Sequence, residues 1–546
     1  MRKRAAVSLL LVGAVLAACG TVDGGVTATR SRRNDAIPVV TGSTTPSTDT
    51  PSTDTPSTDT PSTDTPSTDP GGTTNPNDPN ATVPDDTTFD TRPPEAAIPV
   101  PADQKIIDFG STKTPQAYDG FLIAAFQDIE KFWAEQMPAT FGKPFEPLAG
   151  GIFAAYKSRT ESIPGCGNAR TTFRDVEGNA FYCSQGDFIV YDDDELLPQL
   201  VSSLGQSAVG VVLAHEFGHA IQQRNGDFDQ PTILKEQQAD CFAGAWSAHV
   251  SRGEADGLSF GDAEIKNGLI AMIQVADPVN GDVRDPNAHG TGFDRVGAFQ
   301  DGFLGGTERC KTFFTEDRQK SLIDISFDPR GNGGNLPFID PAPDPETGPS
   351  DIVTLMPKDL DLFWVQKLAG VEGANFTPPT LDVYQKLSPP ACNGQSGDFA
   401  AQRIFFCTAT NQIMVEQQFA ESLATPPDGI GDLADGYLIG EAYSEAVQQT
   451  LGSSLTAKKR VLLNDCFTGA WVAADIPSDP TNPRSAPVGG GGLTLSAGDL
   501  DEAIITALFR SDDSSDENKR GTAFEKISSF RGGVLGGIDA CRAQLG

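Results

Sequence analysis

Apolar and polar positions divide the chain into a long polar front and two regions with the periodicity of helices. Apolar residues at helical spacing predict helices over 120–136, 211–224, 232–250 and 358–368. Aromatic and β-branched runs at 181–191 and 404–415 predict short strands between them. In the stretch VVLAHEFGHAIQQR nothing breaks the helix before Asn225-Gly226, and Pro231 suits the first turn of the next one. A Gly- and Pro-dense joint at 329–350 separates the two regions. The expected class is therefore a helix-rich α+β fold.

The first 100 residues read differently. Arg2-Lys3-Arg4 precede an apolar run from Ala5 to Ala18, too short to span a bilayer but right for a signal peptide over 1–18. The run ends LAAC, which resembles a bacterial lipoprotein signal; cleavage before Cys19 would leave that thiol to carry lipid. Residues 19–100 hold few apolar positions and repeat PSTDT five times over 46–70, the last repeat ending in Pro70, so a disordered tether is expected. As a flexible coil it would reach roughly 50 Å. The remainder would then sit on the extracytoplasmic face of the membrane, held by a lipid anchor. A formal charge of -34 argues against nucleic acid as a partner.

The second region, 351–546, reads as a degenerate copy of the first, 101–328, with 352–546 laid against 128–310. DIEKFW (128–133) recurs as DLDLFW (359–364), DCFAGAW as DCFTGAW, and AFQDGFLGGTERC (298–310) as SFRGGVLGGIDAC (529–541). All four tryptophans fall into two matched pairs. Of nine cysteines, Cys19 aside, Cys166, Cys183, Cys241 and Cys310 match Cys392, Cys407, Cys466 and Cys541. An oxidising compartment favours disulfides, and no C-x-x-C suggests a thiolate metal site. Equivalent pairing in each copy leaves three arrangements. A hairpin turning near 177–179 favours Cys166 with Cys183, then Cys241 with Cys310, Cys392 with Cys407 and Cys466 with Cys541. Contact between the two lobes is expected.

The chemistry gathers on the helix at 211–224. His215 and His219 stand at i, i+4, which puts both imidazoles on one face about a turn apart. The chain has only four histidines, so the spacing is not a by-product of abundance. Two neutral imidazoles there suit zinc, and Glu216 directly after the first can act on a water held by the ion. On the next helix Glu236 can complete the ligand set, leaving one position open, and Asp240 can accept the free ring N–H of a ligating histidine.

HEFGHAIQQR followed by E-x-x-A-D-C-F-A-G-x-W resembles the bacterial neutral zinc metallopeptidase family, within the gluzincin group, over roughly 101–325. The resemblance implies a zincin-like fold, a zinc cofactor, Glu236 as third ligand, and hydrolysis of peptide bonds in a protein or peptide substrate. The family has an H-G-[ST] stretch similar to HGTGF, which makes His289 the candidate oxyanion donor or substrate contact; Arg520 replaces it in the second copy. His249, late on its helix, is expected to cap it or face solvent.

The second copy keeps the scaffold without the chemistry. Matching AIQQ (220–223) to AVQQ (446–449) puts Glu441, Ala442 and Glu445 opposite His215, Glu216 and His219, and Val461 opposite Glu236. Glu441, Glu445 and Asp465 could instead hold a hard cation such as calcium. The competing reading of the whole chain is a non-catalytic, zinc-binding scaffold or binding lipoprotein of the cell envelope. Intact Glu216 argues against it, because a structural zinc has no use for a neighbouring base.

Overall fold

The buried faces predicted above assemble around one helix. The computed structural model describes residues 106–276, 289–323, 335–371, 373–386, 403–424, 429–479, 492–511 and 520–543, with a few single or short stretches between. The signal peptide, Cys19 and the tether lie outside them.

The front half runs β1 (Ile107–Asp108), α1 (Asp119–Phe141), β2 (Gly151–Ala155), α2 (Phe173–Val176), β3 (Ala180–Cys183) and β4 (Phe188–Asp192). It continues with α3 (Leu196–Leu204), α4 (Gln206–Asn225), α5 (Thr232–Ser251), α6 (Asp262–Gln274), α7 (Gly292–Cys310) and α8 (Glu316–Ser321). Its four-stranded sheet has the order β1-β2-β4-β3, parallel except for the antiparallel β3–β4 pair. Helix α4 is buried on every side from Gln206 to Gln222, as expected of a helix wrapped by neighbours rather than laid on a surface.

The back half comprises α9 (Ile352–Leu368), β5 (Thr380–Tyr384), β6 (Ile404–Cys407), β7 (Gln412–Glu416), α10 (Gln417–Ala424), α11 (Asp432–Thr450), α12 (Ala457–Ala474), α13 (Asp499–Phe509) and α14 (Ala523–Arg542). Its sheet has the order β5-β7-β6, with β5 parallel and β6 antiparallel to β7. The class is helix-rich α+β throughout. Among the described residues no helix is long and apolar enough to cross a membrane.

The matched motifs are now legible as physics. Trp246 Nε1 donates to Asp128 Oδ2 at 2.8 Å, and Trp471 Nε1 donates to Asp359 Oδ2 at 2.8 Å. Both of these indoles are fully buried, where an unpartnered N–H would be costly. The four disulfides are Cys166–Cys183, Cys241–Cys310, Cys392–Cys407 and Cys466–Cys541.

The hairpin was expected in the wrong place. It turns at 184–187, between β3 and β4, where Asp187 adopts a left-handed φ of 49°. The turn signal at 177–179 instead ends α2, and Gly178 N–H donates to Asp192 Oδ2 at 2.6 Å. Cys166 therefore reaches Cys183 from a loop, not from the opposite strand of a hairpin.

The halves touch through α7. Gln300 Nε2 donates to Phe524 O at 3.0 Å, Arg531 Nη1 donates to Gln300 Oε1 at 3.0 Å, and the rings of Phe303 and Phe524 stand 4.7 Å apart.

Candidate metal centre

Helices α4 and α5 approach closely because Gly218 faces Ala239: a Cβ on Gly218 would stand 3.0 Å from the Ala239 Cα. His215 and His219 flank that contact on one helix, and Glu236 and Asp240 flank it on the other. The side chains then converge. His215 Nε2 lies 3.2 Å from His219 Nε2 and 3.2 Å from Glu236 Oε2, while His219 Nε2 lies 3.5 Å from Glu236 Oε1. All three residues are buried.

The hydrogen bonds behind the rings decide what faces inward. Gln222 Nε2 donates to Lys235 O at 2.7 Å, which turns its Oε1 toward His219 Nδ1 at 2.9 Å. That contact requires a proton on Nδ1. His215 Nδ1 likewise meets the Asp240 carboxylate at 2.7 Å. In their neutral, ligating form, with the proton on Nδ1, both rings would turn Nε2 lone pairs toward each other and toward a carboxylate. Without an ion, burial pulls the His215 imidazole down, but Asp240 and Glu236 outweigh it and hold His215 up at about 10. Glu236 Oε2 has no hydrogen-bond donor among the described residues. Acceptors crowded this way repel unless a cation lies between them. Zinc bound at about 2.0–2.1 Å spaces tetrahedral ligands about 3.3 Å apart, close to the separations found. The donor set fits zinc.

The supporting electrostatics are strong. Arg295, fully buried, grips Asp240 with Nε to Oδ2 at 2.9 Å and Nη2 to Oδ1 at 2.8 Å. Burial pushes the Asp240 carboxyl up, but Arg295 and then His215 hold it below its ordinary range. Burial likewise opposes the Glu236 carboxylate, yet His219, His215 and His289 keep it well below the ordinary value. His289 is itself buried, and a Cβ on the adjacent Gly290 would stand 2.9 Å from Ile233 Cδ1 and 3.1 Å from Gln237 Nε2, both on the helix that carries Glu236. Glu216 is buried beside His215, and its Oε2 accepts the backbone N–H of Tyr182, on β3 at the sheet edge, at 2.9 Å.

Three contributors escaped the sequence reading. Gln222 had a usable signal, since it sits at i+3 from His219 and shares its face. Arg295 had none, because its partner Asp240 lies on another helix. The Tyr182 backbone contact depends on sheet order. His249 also departs from expectation: it is buried, with Nε2 3.3 Å from Asp128 and Nδ1 3.1 Å from Glu254, and takes no part in the metal group.

On α11 and α12 of the back half the matching acids already have partners among the described residues. Lys526 Nζ donates to Glu441 Oε1 at 2.9 Å and to Asp465 Oδ1 at 2.8 Å. Glu445 turns instead to Arg460 and Asn464. A lysine ammonium thus stands between Glu441 and Asp465, where the sequence left a hard cation possible, while Glu445 is held apart from them.

Residues 95–313 match the family described as "Putative neutral zinc metallopeptidase". The uncharacterized protein Rv2575 of Mycobacterium tuberculosis is 27% identical over 175 residues, covering 29% of this chain and 55% of its own length. The uncharacterized protein YpfJ of Escherichia coli is 28% identical over 207 residues, covering 32% of this chain and 67% of its own. The chain thus spans little more than half of the mycobacterial relative. No solved structure matches it.

Proposed function

We propose that this chain is an extracytoplasmic zinc peptidase, lipid-anchored through Cys19, with catalysis confined to residues 101–328 and a degenerate, non-catalytic copy in 351–546. The observation that carries the reading is the convergence of two imidazole lone pairs and the Glu236 carboxylate at 3.2–3.5 Å, with Glu216 adjacent in sequence to a ligand. The match of residues 95–313 to a neutral zinc metallopeptidase family supports the same chemistry.

His215, His219 and Glu236 would hold the ion. Zinc, when bound, supplies Lewis acidity toward a carbonyl and a water acidified toward neutrality. Glu216 would accept a proton from the attacking water and give it to the leaving amine. Asp240 and Gln222 keep the two rings in the ligating tautomer. His289 is assigned to the developing oxyanion or to the substrate, because it is buried and its neighbour Gly290 packs against the helix that carries Glu236.

The duplication is supported by more than motif spelling. A Cβ on Gly244 would meet Phe299 O at 2.0 Å, and one on Gly469 would meet Phe530 O at 2.0 Å, so the same close helix crossing is built twice. Arg295 on Asp240 and Lys526 on Asp465 are matching cations on matching acids.

The test is hydrolysis of a denatured-protein substrate by the chain purified without its signal and tether. Activity should vanish with a zinc chelator and return with zinc. Glu216→Gln should keep one zinc and lose activity by about 10²–10⁴-fold. Zinc-loaded protein without activity, or an active Glu216→Gln, would reduce the chain to a zinc-stabilised binding lipoprotein.

A further inference from the structure

A second group of ligating side chains lies in the back half, where two helices begin. Asp432 opens α11, Asp499 opens α13, and Glu502 follows on the next turn of α13. One carboxylate oxygen from each lies within 4.8 Å of the other two. All three residues are more than nine-tenths buried, with 6%, 6% and 9% exposure.

Their backbone contacts are partial. Asp432 Oδ2 accepts Leu336 N–H at 2.8 Å, Glu502 Oε2 accepts Leu433 N–H at 2.9 Å, and Asp499 accepts the Ser496 N–H at 2.8 Å and its hydroxyl at 2.5 Å. Asp432 Oδ1 has no hydrogen-bond partner among the described residues. Asp435, one helical turn further along α11 and fully buried, has neither oxygen bonded. The charge pressing on Asp435 is that of Asp432. Among the described residues the paired cations nearby point elsewhere: Lys526 to Glu441 and Asp465, Arg510 to Glu441, Arg460 to Glu445, Lys458 to Glu525.

Buried carboxylates facing one another without a counter-charge must take up protons or a cation. The scaffold itself does not ask for acids here. By the AIQQ–AVQQ match, Asp432 and Asp435 fall opposite Gln206 and Val209 of α4, which need no counter-charge.

We propose that Asp432, Asp499 and Glu502, with Asp435 behind them, form a calcium site that fastens α11 to α13. Calcium–oxygen distances of about 2.3–2.6 Å put ligands on opposite sides of the ion up to about 5 Å apart, which suits this cluster. Magnesium is smaller, keeps its waters and is served by one or two carboxylates. With no imidazole or thiolate present, the site is hard and oxygen-only, unlike the front centre. The positive ends of two helices offset the charge left after a divalent ion meets three carboxylates. Burial raises all three carboxyls, Asp432 to about 6, and the neighbouring acids push Asp499 and Glu502 up further, so ion binding would displace protons. The site does not depend on the peptidase reading.

The experiment uses the full chain minus signal and tether, stripped by chelator, reloaded with zinc and titrated with calcium chloride by calorimetry. One saturable ion is expected, with a Kd on the order of 10⁻⁶–10⁻³ M. The unfolding temperature should rise by several degrees on saturation. Asp432→Asn and Asp499→Asn should each weaken binding at least about tenfold, and exposed Asp539→Asn should not change it. The wild-type titration decides the matter even if a variant fails to fold, with Glu502→Gln as the third probe. Absence of saturable calcium, with an unmoved unfolding temperature, would mean that protons hold the cluster and overturn the proposal. Undiminished binding in folded Asp432→Asn and Asp499→Asn would also overturn it, by placing the ion elsewhere.

Discussion

The Asp501 carboxylate, on α13 of the back half, accepts the backbone N–H of Phe293, on α7 of the front half, at 2.8 Å. It also accepts that of Gly292 at 3.0 Å. A side chain from one half thus caps a helix of the other. Helix α7 begins three residues after His289 and carries Arg295, the guanidinium that holds Asp240. The His215–His219–Glu236 group and the back half are therefore joined by a short chain of direct contacts.

Removing that cap should be felt in the front half. Asp501→Ala leaves two N–H groups at the start of α7 without their acceptor and should cost about 1–2 kcal/mol of stability. Peptidase activity should fall while zinc content stays near one per chain, because none of the three ligands is on α7. Thermal unfolding and metal analysis on the same preparation check both statements. By the same contacts, residues 101–328 expressed alone would lose the cap and uncover Phe303 and Gln300, and should be less soluble and less active than the whole chain.

Asp240→Asn tests the support behind His215. The amide cannot neutralise Arg295, which is fully buried, and can present an N–H where His215 needs an acceptor. Leaving a buried charge unpaired costs about 3–5 kcal/mol. Loss of a carboxylate behind a ligating histidine lowers metal affinity by about 10–100-fold. Competition with a chromophoric zinc chelator measures the second effect, and chemical unfolding of the zinc-free protein the first.

Acid stability should carry the mark of Asp294. Burial raises its carboxyl to about 7, against the opposing pull of Arg318. The folded chain therefore binds this proton more tightly than the unfolded chain does. The contribution is present below about pH 4 and is lost as pH rises toward 7, on the order of a few kcal/mol. Asp294→Asn should stabilise the protein above pH 7 relative to wild type and remove that part of the slope. Unfolding free energies between pH 5 and 8 read it directly.

Much of this was legible before any coordinates. Periodicity marked α4, α5 and the start of α1, and the i, i+4 histidines placed two ligands on one face without help from tertiary structure. Glu236 and Asp240 were legible for the same reason, being one turn apart on the following helix. What local pattern cannot carry is long-range pairing. The parallel strands β1, β2 and β5 are short and acquire their partners only through crossovers. Gly178 looked like a hairpin tip because a glycine after an acid serves equally to leave a short helix. Arg295, the Asp501 cap and the lysine on Glu441 each bond a residue more than fifty positions away. The acidic cluster at Asp432 was missed because its members are separated in sequence, whereas Glu441, Glu445 and Asp465 looked suitable and had already been given a cation by the chain.

That internal cation yields the last expectation. Lys526 Nζ is fully buried, bonds both oxygens of Asp465 at 2.8 and 2.9 Å, and reaches Glu441 Oε1 at 2.9 Å; Tyr437 donates to Asp465 at 2.6 Å. Lys526→Met keeps the length of the stem and removes the charge, leaving two carboxylates face to face in a dry interior. The loss should be about 3–5 kcal/mol near neutral pH. Lowering the pH should recover part of it, since protonated carboxyls need no partner. Lys526→Arg, by contrast, should retain most of the stability, as Arg295 does for Asp240 in the front half. If Lys526→Met unfolds at the wild-type denaturant concentration, the two acids are already neutral and the lysine is not their counter-charge.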